Sequence, residues 1–406
     1  MPLSRRQVYR RRRITVFGAL GLVLATGFYL PFTLLAPLHA SAAQLDPYIP
    51  PTTTAPTLTF PGYGATAVGA VEFPGVLAKS GTDDPLPLAS VTKIVTALVT
   101  LEERPLGIDE AGPDIAFTRA DVTIYNDYLK RFGSVKPVKA GITLTYRQVL
   151  ELTVVASANN YTQSLVNWAF GSEAAFVPVA NAWLAEHGLE SMVLTDSTGM
   201  NPENVGTASD LIELGRLALA DPLVSTLVST KKVEIPNVGE IKNTNKLLGD
   251  VGIRGIKTGT LDEANLLFAA DYEVGSHTVT VIGVMLGAKN HKVLDQDVIA
   301  LLNSAKPGFQ EVVLTTEGQE YGSYSTLWGD DAEAVAAKDA SVVVWADTAI
   351  SLLVQARPVT FGAKGDDIGV LTFTVGSETI EVPLELDATI DDPGPGWRLS
   401  HPAELF

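Results

Sequence analysis

The sequence has 406 residues, of which 46% are apolar, with no cysteine and a formal net charge of −17. That length supports two or three domains with cores of their own, and the lack of cysteine excludes disulfide frameworks, thiol nucleophiles and Cys-based metal sites. Six arginines and no acid occupy the first thirteen residues, leaving 46 acids against 23 Lys plus Arg in the remainder. A body that acidic argues against nucleic acid as a partner.

The elements begin with a hydrophobic segment. Between Ile14 and Leu45 there is no Asp, Glu, Lys or Arg, and the run "ITVFGALGLVLATGFYLPFTLLA" would span roughly 34 Å as a helix. Residues 1–13 are therefore read as an Arg-rich cytoplasmic tail and 14–38 as a transmembrane helix, with the rest of the chain outside the membrane. "ASAA" at 40–43 offers an Ala-x-Ala cleavage site, but the apolar run is longer than a usual signal-peptide core, so an uncleaved anchor is preferred to a secreted product. "LDPYIPPTTTAPTLTFPG" closes a Pro/Thr linker assigned to 39–61.

Residues 62–307 mix strands and helices. "YGATAVGAVEFPGVLAKS" reads as a hairpin turning at Pro74-Gly75, and "LASVTKIVTALVTLE" (88–102) as a helix apolar around most of its circumference, opened by Ser90. Thr145 and Gln148 have the spacing of a capping box before "YRQVLELTVVAS". Further helices are expected over "YTQSLVNWAF", "FVPVANAWLAEHGLE" and "TASDLIELGRLALA", the last capped by Ser209 or Asp210. From residue 251 the period changes to that of strands, in "GIRGIKTGT", "NLLFAADYEV" and "HTVTVIGVMLG", before a helix at about 291–305. Strands at both ends with helices between imply an α+β domain, its antiparallel sheet closed by the two ends of the segment. Beyond it, 308–406 carries "SVVVWAD", "ISLLVQA", "IGVLTFTVG" and "ETIEVPLEL", the pattern of a small all-β C-terminal domain. The run "DDPGPGWRLSHPAELF" has too much Pro and Gly for an amphipathic membrane helix, which assigns attachment to the N-terminal segment.

Three short motifs carry chemistry: Ser90-x-x-Lys93 opening a core helix, Ser157-Ala158-Asn159 at a break between helices, and Lys257-Thr258-Gly259 on a strand. Serine and lysine three residues apart share a helix face, as a nucleophile and its base must. Chance matches exist at Ser229/Lys232 and at Lys79-Ser80-Gly81, but the first precedes a polar strand-like stretch and the second lies before the nucleophile. Order and setting together select the first set, which has the signature elements of penicillin-binding proteins and class A β-lactamases.

Residues 61–406 accordingly resemble a D-alanyl-D-alanine carboxypeptidase of the low-molecular-mass penicillin-binding proteins. "STGMNPENVGTASDLIELGRLAL", "GIRGIKTGT" and "AKGDDIGVLTFTVGSETIEVPLEL" are similar to further segments of that family. The resemblance implies a β-lactamase/transpeptidase-like fold and acyl transfer from peptidoglycan stem peptides ending in D-Ala-D-Ala, with β-lactams as covalent inhibitors and no cofactor or metal. It implies Ser90 as nucleophile, Lys93 as base, Ser157 as proton donor to the departing amine, and Asn159 bound to the peptide backbone and holding Lys93. Lys257 and Thr258 would face the terminal carboxylate, Gly259 would leave room for substrate, and the strand from Thr260 would pair with the peptide. For Lys93 to act as base its pKa must fall from the free-amine range towards neutrality, through burial and the nearby Lys257.

Two departures stand out. The family's arginine beyond the Lys-Thr-Gly strand is missing, since none occurs between Arg254 and Arg357, and Lys289 or Lys292 is the candidate substitute. The Glu-x-x-Leu-Asn pattern of class A β-lactamases is also missing, which leaves D,D-endopeptidase or transpeptidase activity as the alternative to carboxypeptidase. A Gly-x-Ser-x-Gly elbow and the zinc-peptidase His motifs are absent, and the histidines at 39, 187, 277, 291 and 401 form no pairing pattern. A non-catalytic wall-binding protein would not need the complete set of motifs.

Overall fold

The strands expected at the two ends of residues 62–307 meet in one sheet. A computed structural model describes residues 4–406, so the first three residues of the cytoplasmic tail lie outside the described residues. The chain forms two compact units, Ala55–Gln310 and a second that joins residues up to Thr54 with Glu311–Phe406.

In the first unit five antiparallel strands lie in the order Ile253–Thr260, Ala264–Val274, His277–Ala288, Ala65–Ala70, Phe73–Gly81. The hairpin turn falls at Val71-Glu72 rather than at Pro74-Gly75. Proline lacks the amide proton that a ladder uses, and Gly75 has a φ of 67°, so the pair is absorbed in a bulge between Val68 and Ala70 on the neighbouring strand.

Against the sheet pack helices whose caps explain their limits. Thr145 accepts from the Gln148 amide and Gln148 returns a bond to the Thr145 amide, the capping box expected for Tyr146–Val154. Helix Thr92–Glu103 is buried from Thr92 to Leu101, and Ile94, Val95 and Leu98 each contribute about 1.5–3 kcal/mol by leaving water. Helices Arg119–Lys130 and Pro222–Ser229 are additional to those read from the sequence. Their signals were a Thr118/Asp121 capping box and an Asp221 cap followed by Pro222 at the first helical position. Helix Ala208–Ala220 starts from Thr207, not Ser209 or Asp210, because Thr207 is extended and its hydroxyl accepts from the Asp210 amide at 3.3 Å. The Asp210 carboxylate instead accepts from the Ser191 amide and hydroxyl.

The second unit holds a six-stranded antiparallel sheet around Tyr324, Leu371, Phe373 and Leu384. One edge strand is Gln44–Leu45, paired with Ser323 and Gly322, so part of the expected linker is β structure. Helix Arg5–Leu34 is long and apolar enough to cross a membrane by length and composition. It begins nine residues before Ile14, since Ser4 and Gln7 form a capping box ahead of the arginines. Gly394–Ser400 forms a short helix where periodicity alone gave none.

Thr207→Ala is expected to lower stability by about 1 kcal/mol in urea denaturation, while Ser209→Ala changes it by less than about 0.5 kcal/mol. Equal effects would return the cap to Ser209.

Candidate active site

Ser90 is not a helix cap. It lies in the 3-10 turn Ala89–Val91 that precedes the α-helix and makes no capping bond, and Ala89 before it has a φ of 49°. The turn presents the Ser90 hydroxyl to the amine of Lys93, whose Nζ is 2.9 Å from Ser90 Oγ and donates to Thr198 O at 2.7 Å. Lys93 is fully buried, and neither partner is a carboxylate. Burial first, and then the charge of Lys257, hold its pKa well below that of a free lysine, against a smaller opposing pull from Asp196.

The segment 195–204 fixes this amine, and its role was not legible from motifs. Asp196 Oδ1 accepts from the amides of Thr198 (2.7 Å) and Gly199 (2.6 Å), and Oδ2 from Asn201 N (2.6 Å). Asn204 Oδ1 collects the Thr195 amide and hydroxyl and the Asp196 amide, while its Nδ2 reaches Thr92 Oγ1. With so many donors satisfied, the Thr198 carbonyl is held towards Lys93. Gly199 has a φ of 76°, and a Cβ there would lie 1.7 Å from Ala89 O. No larger residue fits between the Ser90 turn and this loop. The sequence signal was the density of Asp, Asn, Ser, Thr and Gly between two helices.

The other two motifs converge on the same cleft, about 830 Å³, which Ser90, Ser157, Asn159, Thr258 and Thr260 all line. Ser157 sits in the break between helices with a φ of 55° and is buried. Asn159, in the first turn of Asn159–Phe170, is tied through its amide to Ser134 O at 2.8 Å. Its Nδ2 approaches Met200 Sδ at 3.8 Å and its Oδ1 is buried with no partner. Lys93 is thus held by Thr198 rather than by Asn159.

Lys257 is buried beneath the strand, donates to Thr258 O at 3.0 Å, and burial lowers its pKa to about 7. Thr258 Oγ1 meets Thr244 Oγ1 at 2.5 Å. The space beside Gly259 is filled by protein: a Cβ would stand 2.8 Å from Leu88 O and 3.1 Å from Ala89 Cβ. Gly259 therefore lets the strand close on the Ser90 turn, instead of leaving room for a ligand. Lys289 and Lys292 are exposed outside the cleft, whereas Lys246 and His291 line it. His291 Nε2 lies 2.7 Å from Thr260 Oγ1, and its pKa is lowered first by burial and further by the charges of Lys246 and Lys257, against an opposing pull from Asp295. Glu173 is occupied elsewhere, accepting from the Ser197 amide and hydroxyl.

The D-alanyl-D-alanine carboxypeptidase family (peptidase S11) matches residues 72–290, more than half of the chain. The carboxypeptidase DacC of Escherichia coli K12 is 24% identical over 331 residues, covering 79% of this chain and 82% of that protein. A D-alanyl-D-alanine endopeptidase of Pseudomonas aeruginosa is 31% identical over 196 residues, 47% of this chain and 60% of its own length. Among solved structures, the peptidoglycan synthesis regulatory factor PBP3 of Streptococcus pneumoniae aligns with a TM-score of 0.59 at 21% identity, covering 82% of this chain and all of that one (100%). The Streptomyces K15 DD-transpeptidase aligns with a TM-score of 0.54 at 23% identity, covering 62% and 98%.

Gly199→Ala is expected to cost at least about 2 kcal/mol, from overpacking and left-handed strain. It should also slow peptidase turnover by about a hundredfold through displacement of the Lys93 amine. Denaturation and steady-state peptidase assays measure the two effects, and unchanged values would remove Gly199 from the support of the site.

Proposed function

The chain belongs to the D-alanyl-D-alanine carboxypeptidase family, and from that premise we propose that it releases the terminal D-alanine of peptidoglycan stem peptides through an acyl-enzyme on Ser90. The observation that carries this reading is the buried, counter-ion-free Lys93 amine 2.9 Å from Ser90 Oγ. A lysine so placed is neutral more readily than a free one and can accept the hydroxyl proton.

Ser90 Oγ attacks the carbonyl carbon of the penultimate D-Ala as Lys93 Nζ takes its proton. The tetrahedral oxyanion is received by the Ser90 and Thr260 backbone N–H groups. Collapse breaks the C–N bond, and the proton held on Lys93 passes through Ser157 to the departing amine. Water then hydrolyses the ester, its proton passing to Lys93 and from there to the departing Ser90 oxygen. Asn159, whose buried Oδ1 lacks a partner, accepts from a peptide N–H. Lys257 and Thr258 attract the terminal carboxylate, and His291, beside Thr260 Oγ1, lines the same cleft. A penicillin, whose strained amide mimics the scissile bond, forms the same ester. Helix Arg5–Leu34 is an uncleaved anchor that keeps the catalytic unit outside the membrane. Endopeptidase cleavage of cross-links is the second reading, favoured by the P. aeruginosa relative.

Fluorescent penicillin is expected to label the full chain covalently and to leave Ser90→Ala unlabelled. No label on the wild type, or equal label on the variant, would refute the acyl-enzyme. D-Ala release from a pentapeptide should exceed cleavage of a cross-linked dimer, and the reverse order would select the endopeptidase.

The pH dependence of kcat/KM follows from the two lysines. Lys93 must be neutral, so the rate falls as pH drops through its lowered pKa. Lys257 must be charged, so the rate also falls as pH rises past about 7. A substrate with an amidated terminus should lose the alkaline limb. If it keeps that limb, Lys257 does not serve the carboxylate.

A further inference from the structure

Residues 33–48 are not a free stalk. Ser41 and Val359 exchange backbone bonds at 2.8 and 2.9 Å, Ser41 Oγ donates to Ser325 O at 2.8 Å, and Gln44 and Leu45 extend the sheet of the second unit. The expected Ala-x-Ala site at 40–43 therefore falls within paired structure. Where the apolar helix ends, residues 394–406 close on it. Tyr29 Oη donates to Leu399 O at 2.7 Å, and Phe32 stacks on Phe406 with ring centroids 4.5 Å apart. Arg398, only 9% exposed, donates to Ala36 O at 2.6 Å and pairs with Asp392 at 2.7 Å. Leu405 and Thr33 are buried as well.

Around this closure lies an aromatic run. Trp328 contacts both Phe361 and Trp397, and Trp397 stacks on His401. Phe361 is 45% exposed, Phe406 67% and Leu35 82%. Exposed Phe and Leu side chains with half-buried Trp328 and Trp397, gathered at the charge-free end of the helix, have the composition of a membrane interface belt. Between Asp391 and Phe406 the charges are Asp391, Asp392, Arg398 and Glu404, so no polybasic patch is present and the attraction to lipid is apolar.

We propose that residues 394–406 clamp the outer end of the anchor helix and lay Phe361, Trp397 and Phe406 into the lipid interface, seating the β unit on the bilayer. The proposal rests on the uncleaved-anchor reading. The helix fixes the occupant, because a bilayer around it meets whatever surrounds its last turn.

The cysteine-free chain suits a direct test in phosphatidylcholine vesicles bearing the full-length protein. In Phe32→Cys/Phe406→Cys, mild oxidation or a short bismaleimide should join the two sites, seen as one cross-linked peptide pair. In Phe361→Cys carrying an environment-sensitive dye, emission should shift to the blue and be quenched by nitroxide lipid rather than by aqueous iodide. Absence of the cross-link in protein whose intact mass retains the arginine-rich N-terminus would overturn the clamp. A dye open to iodide and unaffected by nitroxide lipid would overturn the seating. A mass beginning after Ala42 or Ala43 would overturn the anchor reading itself and the proposal with it, a result separate from the other two.

Discussion

The catalytic unit is arranged around an amine held in a dry core without a counter-charge. Burying a charged lysine is costly unless it is paired, and Lys93 is paired only with a hydroxyl and a carbonyl. The cheaper solution is the neutral amine, which is the form a general base requires. The helix that carries it is buried from Thr92 to Leu101. Lys257, likewise buried, sits close enough to push Lys93 further in the same direction.

Several separate features serve that amine. Asp196 and Asn204 knit the 195–204 loop so that Thr198 O faces Lys93. Gly199 and Gly259 let that loop and the Lys257 strand close on the Ser90 turn from two directions, each at a distance that a Cβ would violate. The positive φ of Ala89 turns the serine away from a capping role, a local strain maintained by the surrounding contacts. The candidate active site is therefore a packing solution before it is a chemical one.

Much of this was legible because chemistry and secondary structure share a code. The i, i+3 serine and lysine, the Thr145/Gln148 box and the three late strands are local patterns, and all recur in the structure at their expected places. What escaped was non-local. That Gly259 faces Leu88 and Ala89 depends on two segments 170 residues apart in the chain. The Thr198 carbonyl has no side-chain signature at all. His291 looked like any surface histidine until the strand and the following helix brought it to Thr260. The strand pairing of Gln44 and Leu45 within the expected linker was missed for a related reason: extension, which a linker composition predicts, is also what an added edge strand requires. Fold class and motif residues followed from the sequence, whereas the residues that position them required the tertiary structure.

The proposed reaction requires Lys93 to be neutral under the conditions in which Ser90 acts. Nuclear magnetic resonance of the lysine side chains, with the Lys93 signal assigned by its loss in Lys93→Met, measures this directly across a pH titration. The amine is expected to titrate well below the exposed lysines and to be uncharged while they remain protonated. A Lys93 signal that titrates together with the exposed lysines would contradict the claim, since a permanently charged amine could not take the proton from Ser90.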